Sequence, residues 1–159
     1  MGADFGIITL EQVLHRQGAP MTYAMAYGLC LLLFAAVDIT WLMTMGGKLY
    51  KQTLGDILLP QVFLPPAAAF YLLYPAGVVI FAVAPALKTG SLTTALAYGA
   101  LFGLFTYGTY ELTNFATLRN WTLQITLIDI AYGAIATGAI ATLVTMLTPR
   151  AAAMLGGGA

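Results

Sequence analysis

The sequence predicts an all-α integral membrane protein: a four-transmembrane-helix bundle preceded by a short amphipathic helix lying at the interface. Composition is the first reason, because 60% of the 159 residues are hydrophobic and only 8% are charged. Mean hydropathy is +0.88, and soluble domains carry roughly 45–50% apolar and about 25% charged residues instead. The second reason is length. Four apolar stretches, about 21–45, 65–84, 92–115 and 123–147, can each cross ~30 Å of hydrocarbon as a helix. The third is punctuation, since most of the glycine–proline clusters and basic residues fall between those stretches.

Residues 1–20 form the N-terminal interfacial segment. Ile7, Leu10 and Leu14 recur at helical spacing opposite Glu11, Gln12 and His15, Thr9 with Gln12 suits a capping box, and Gly18 and Pro20 are expected to end the helix. Residues 21–148 form the transmembrane domain. In its first span only Asp38 interrupts the apolar run; Gly46 and Gly47 are expected to close it, leaving Lys48, Tyr50, Lys51 and Asp56 as a polar loop. Pro65 and Pro66 suit the entrance of the second span and Pro85 its exit, while Pro75 in the middle predicts a kink. Lys88 to Ser91 make a turn. The third span carries Gly99 and Gly103 four residues apart, and the fourth carries Gly133, Thr137 and Ala141 on one small-residue face, so both offer surfaces for close helix approach, including in a homodimer. Arg119, Asn120 and Trp121 mark a short interfacial connection, and residues 149–159 are expected to be a flexible C-terminal tail.

Net charge is zero, so the basic excess of a nucleic-acid-binding protein is missing and the expected environment is the lipid bilayer. The chain shows no phosphate-cradling Gly-Lys loop, no metal-spaced Cys/His cluster and no Ser-His-Asp order. The sequence therefore identifies neither a cofactor nor a metal, and leaves open whether the protein is an enzyme. The single cysteine, Cys30, lies in the first span and reads as a packing residue. With four spans the basic residues divide three to three between the two faces, and the positive-inside rule does not choose an orientation.

Three acids stand inside the apolar segments: Asp38, Glu111 and Asp129. Each costs about 3 kcal/mol to insert, so such groups normally face protein or water and mark functional sites. Asp38 and Glu111 lie near the ends of odd spans and Asp129 near the start of an even one, which places all three toward the membrane face opposite the chain ends. Helical periodicity aligns Asp38 with Trp41, Glu111 with Tyr107 and Asn114, and Asp129 with Tyr132. Those side chains can donate hydrogen bonds to carboxylates, and Arg119 or Lys48 can supply a countercharge. The candidate ligand or ion-binding residues are accordingly Asp38, Trp41, Tyr107, Glu111, Asn114, Arg119, Asp129 and Tyr132.

The runs Asp38-Ile-Thr-Trp-Leu42, Phe70-Tyr-Leu-Leu-Tyr74, Gly99-Ala-Leu-Phe-Gly103, Thr109-Tyr-Glu-Leu-Thr-Asn114, Ala116-Thr-Leu-Arg119 with Trp121, and Asp129-Ile-Ala-Tyr-Gly133 together resemble a bacterial family of small predicted membrane proteins, DUF2177. The resemblance spans about Tyr23 to Leu147 and implies a multi-pass architecture in the bacterial inner membrane, with no activity attached. Two positions depart from the family pattern: Glu111 stands where it has aspartate, and Tyr132 where it often has tryptophan.

Three functions fit these residues. A membrane-embedded site that binds or transports a cation, proton or small polar molecule uses the acids directly, in a homodimer if four helices are too few for a carrier. An accessory or structural subunit of a larger membrane protein complex uses the polar groups as interhelical glue. A membrane-embedded enzyme acting on a lipid or other apolar substrate would pair one acid as proton donor with another as base.

Overall fold

Left-handed glycines stop the helices in two places, Gly55 at φ 50° and Gly90 at φ 64°, conformations that residues with a Cβ rarely adopt. Between these stops the chain is almost continuously helical. The structure, a computed structural model, describes residues 10–156, with side chains from 20 to 154 except Asp56. Six helices are described: α1 (Leu10–Met45), α2 (Lys51–Leu54), α3 (Leu64–Val78), α4 (Ala84–Thr89), α5 (Leu92–Thr117) and α6 (Leu123–Gly156). π-helical turns at Gly46–Tyr50 and Val79–Val83 join α1 to α2 and α3 to α4 without a break. The result is four rods.

Three of them, Pro20–Leu54, Leu64–Thr89 and Leu123–Met154, are long and apolar enough to cross a membrane. The fourth, α5, has 26 residues, or ~39 Å of helix, but threonines, tyrosines and Glu111 dilute its apolar character. The fold is an all-α bundle with three to four membrane-length helices. Large hydrophobic side chains such as Leu73, Ile80, Phe105 and Ile135 are exposed on its outer surface, as lipid-facing residues are.

Four expected boundaries differ. Gly46 and Gly47 do not end the first span, because a wider π turn carries the helix on to Leu54 and turns Tyr50 inward. Pro85 does not end the second: the π turn Val79–Val83 precedes it, relieving the clash its ring would make with the preceding helical turn, and Pro85 occupies the first turn of α4. Likewise α1 runs through Pro20 and α6 through Pro149 to Gly156. One lost backbone bond is tolerated there by helices whose other bonds are intact, and the alanines after Pro149 favour helix. The interfacial helix expected within residues 1–20 falls outside the described residues as far as residue 9, and its side chains do so as far as residue 19; the last three residues of the tail are also outside. Pro65 stands in the first turn of α3, and Ser91 caps α5 by accepting from the Thr94 amide at 3.2 Å.

Packing is densest where side chains are smallest. A Cβ on Gly103 would collide with the carbonyl of Gly133, and one on Gly133 with the Tyr107 ring, so α5 and α6 approach backbone to backbone. The Gly99/Gly103 and Gly133/Thr137 faces therefore meet each other within one chain. They are occupied and do not form the homodimer surface the spacing suggested. Across from this seam, Ala26, Cys30 and Phe34 of α1, Tyr74 and Val78 of α3 and Ile140 and Val144 of α6 build the main apolar core. Phe34 stacks on Tyr74 at 4.7 Å. Near Pro75 the Tyr27 hydroxyl donates to the Leu72 carbonyl at 3.1 Å, a neighbouring helix serving the backbone beside the proline. A second cluster of Leu49, Leu54, Trp121 and Ile125 pins the Gly46–Leu54 segment onto the α5–α6 connection.

Candidate buried carboxylate centre

The π turn and the second apolar cluster together decide what surrounds the acids. Asp38, Glu111 and Asp129 are 5%, 1% and 6% exposed. Water is largely excluded, so each oxygen depends on protein donors.

Asp38 of α1 is the best served. Its Oδ2 accepts the Tyr71 hydroxyl at 2.7 Å and its Oδ1 the Tyr132 hydroxyl at 3.2 Å. Tyr132 sits three residues after Asp129 on α6, so helical spacing ties the first acid to the helix that carries the third. The Tyr132 ring stacks on Trp41, centroids 4.1 Å apart and planes 9° from parallel, and meets Tyr107 edge-on at 5.9 Å.

From Trp41 the network turns outward. Its indole N–H donates to the Tyr50 hydroxyl at 2.9 Å, and Tyr50 in turn donates to Asp129 Oδ1. Glu111 of α5 accepts the Trp121 indole N–H on Oε2 at 2.7 Å, and Trp121 is braced edge-on by Tyr110 at 5.7 Å. α5 and α6 pack antiparallel, with Gly103 against Gly133 and Tyr107 against Gly133, so Glu111, one turn after Tyr107, and Asp129, one turn before Gly133, lie beside each other across the seam. Glu111 Oε1 is buried with no hydrogen-bond donor, and a meeting of two acceptors supplies none.

Six of the eight residues singled out in the sequence, Asp38, Trp41, Tyr107, Glu111, Asp129 and Tyr132, thus meet in one continuous network. The other two stand apart. Asn114 is half-buried beside Tyr110, and Arg119 is exposed, as are Lys48, Lys51, Lys88 and Arg150. Among the described residues, the side chains that donate to the acids are tyrosines and tryptophans. The countercharge expected from Arg119 or Lys48 is not seen at the acids, because both side chains are exposed on the outer surface.

Three members were missed: Tyr50, Tyr71 and Trp121. Gly46 and Gly47 resemble a helix stop, which in sequence puts Tyr50 in a polar loop, and Trp121 reads as an interfacial residue although it is 7% exposed. Tyr71 carried a usable signal, since it lies one helical turn before Pro75 on a span whose other polar group, Tyr74, bonds Thr137 at 2.7 Å.

Chemically, the centre presents carboxyl groups to one another across an aromatic wall, without basic partners. Among the described residues no three Asp, Glu, His or Cys side chains converge closely enough to hold a metal ion. No curated protein and no solved structure matches the chain. Residues 23–146 match the family described as predicted membrane protein DUF2177, so this integral, multi-pass chain belongs to that bacterial membrane protein family.

Proposed function

We propose that the chain crosses the membrane four times and that its buried carboxylate centre binds a small cation, proton or small polar molecule and passes it across the bilayer. The observation that carries this reading is Glu111 Oε1: a buried oxygen without a donor, on an acid that is 1% exposed and lies beside a second acid across the α5–α6 seam. A side chain kept only for packing would be satisfied, since an orphaned buried acceptor costs about 1–3 kcal/mol. Glu111 and Asp129 form the site, held by Trp121 and Tyr50, and Asp38, Trp41, Tyr107 and Tyr132 brace it.

Counting α5 as the fourth span is supported by how its polar groups are handled. The hydroxyls of Thr106, Thr109, Thr113 and Thr117 return to carbonyls one turn back in the same helix, so they demand no outside partner. Glu111 faces the centre.

Proteoliposomes loaded with a pH-sensitive dye test the reading, with sodium, potassium and proton gradients imposed in turn. Glu111→Gln and Asp129→Asn are expected to slow the supported flux at least tenfold while circular dichroism and gel filtration stay unchanged. Equal flux in folded wild-type and variant protein would refute it.

A second reading, an accessory subunit, is favoured by one feature. Between α2 and α3 the non-helical stretch 58–63 exposes Leu58, Leu59, Val62 and Phe63, an apolar surface open to another membrane protein. Co-purification of a stoichiometric partner, lost when Leu59 and Phe63 become serine, would support that role.

A further inference from the structure

Resting on the carboxylate centre just proposed, we infer that its ligand is a proton, held by Glu111 against Asp129 and exchanged between the two. The Glu111 carboxyl is enclosed, with Oε2 taken by Trp121 and Oε1 bare. Across the antiparallel α5–α6 seam, where Tyr107 packs on Gly133, the acid set beside it is Asp129, one turn before Gly133 as Glu111 is one turn after Tyr107. Two ionised carboxylates in contact repel and form no hydrogen bond, whereas one proton between them converts the same contact into a short, charge-assisted bond. The proton supplies what the bare oxygen lacks.

The surroundings favour a proton over a larger cation. The ionisable groups facing the pair are Asp38 from α1, Tyr50 from the π turn and Tyr107 and Tyr110 from α5. None brings positive charge, and a third acid nearby adds to the reason for neutralising one carboxyl. A metal cation needs several oxygens around it, but Asp38 has both of its oxygens committed to Tyr71 and Tyr132, and Asp129 has one committed to Tyr50. Among the described residues Asp38, Glu111 and Asp129 do not converge closely enough to hold a metal ion together.

The transfer balances without a co-reactant. As the O–H bond on Glu111 breaks, an O–H bond forms on Asp129, and the pair keeps a single negative charge throughout. Loss of the proton to water leaves two adjacent negative charges, which draws the next proton in. Tyr50 and Trp121 hold the outer oxygens, so they act as positioning residues.

Infrared difference spectroscopy on the full chain in nanodiscs tests this, with deuterium as the probe and sodium or potassium chloride added in separate runs. The wild type is expected to show a protonated-carboxyl stretch near neutral pH that shifts on transfer to heavy water. Glu111→Gln should abolish it, Asp129→Asn should move it, and Glu111→Asp should keep it, with gel filtration confirming that each variant is folded. The assignment is overturned by a wild-type spectrum without the band, by a band surviving in both Glu111→Gln and Asp129→Asn, or by its replacement on adding sodium or potassium at constant pH. If the band is missing while sodium or potassium flux still requires Glu111, the proton falls and the carboxylate centre stands; if neither is seen, both fall.

Discussion

Asp38 and Glu111 are acids of similar burial in one network, but they are treated in opposite ways. Asp38 receives a hydroxyl on each oxygen, from two different helices, whereas Glu111 receives one indole N–H and leaves an oxygen bare beside Asp129. The first arrangement ties α1 to α3 and α6 and has no capacity to spare. The second keeps a vacant acceptor in a place that is costly to leave so. A saturated carboxylate holds a structure together; an unsaturated one is available for binding.

The largest way to break this contrast is to remove the saturated acid. Asp38→Ala leaves the Tyr71 and Tyr132 hydroxyls without an acceptor, and the expected loss is about 3 kcal/mol. Thermal unfolding in detergent reads it directly, and a midpoint equal to the wild type would show that Asp38 binds nothing together. Next comes Trp121→Phe, which keeps most of the ring but strips Glu111 of its indole donor; about 2 kcal/mol should be lost. An unchanged unfolding midpoint would mean that the indole bond contributes nothing.

The sharpest comparison is the smallest. Amides introduced at the two acids should diverge: Asp38→Asn sets an NH₂ against a tyrosine hydroxyl and costs about 1 kcal/mol, whereas Glu111→Gln can donate to Asp129 and should cost roughly nothing. Equal losses in the two variants, measured by the same unfolding assay, would erase the distinction between the sites.

Much of this arrangement is legible in the sequence because it rests on two periodicities. Apolar runs mark the rods, and three- or four-residue spacing places Trp41 beside Asp38 and Tyr132 beside Asp129. What is not legible depends on backbone exceptions. A π turn adds a residue to the helical repeat, and after Gly46 that rotates Tyr50 from an expected loop onto Asp129. Trp121 follows the same logic, since the connection after α5 is short and tucks the indole under Glu111 rather than into the headgroup layer. The glycine pairs were legible as contact surfaces, but spacing alone does not say whether the other surface belongs to the same chain.

The closeness of α5 to α6 bears on how the protein is made. On its own, α5 presents the translocon with Glu111 and a row of threonines, and it is the one long helix outside the three that qualify by length and hydropathy. On the four-span reading proposed above, α5, joined to α6 by a few residues and fitted to it at Gly103 and Gly133, enters lipid as half of a hairpin, with Asp129 on the adjoining arm. Ribosomes stalled before α6 emerges should therefore leave α5 outside the bilayer, and release of the stall should carry both across together.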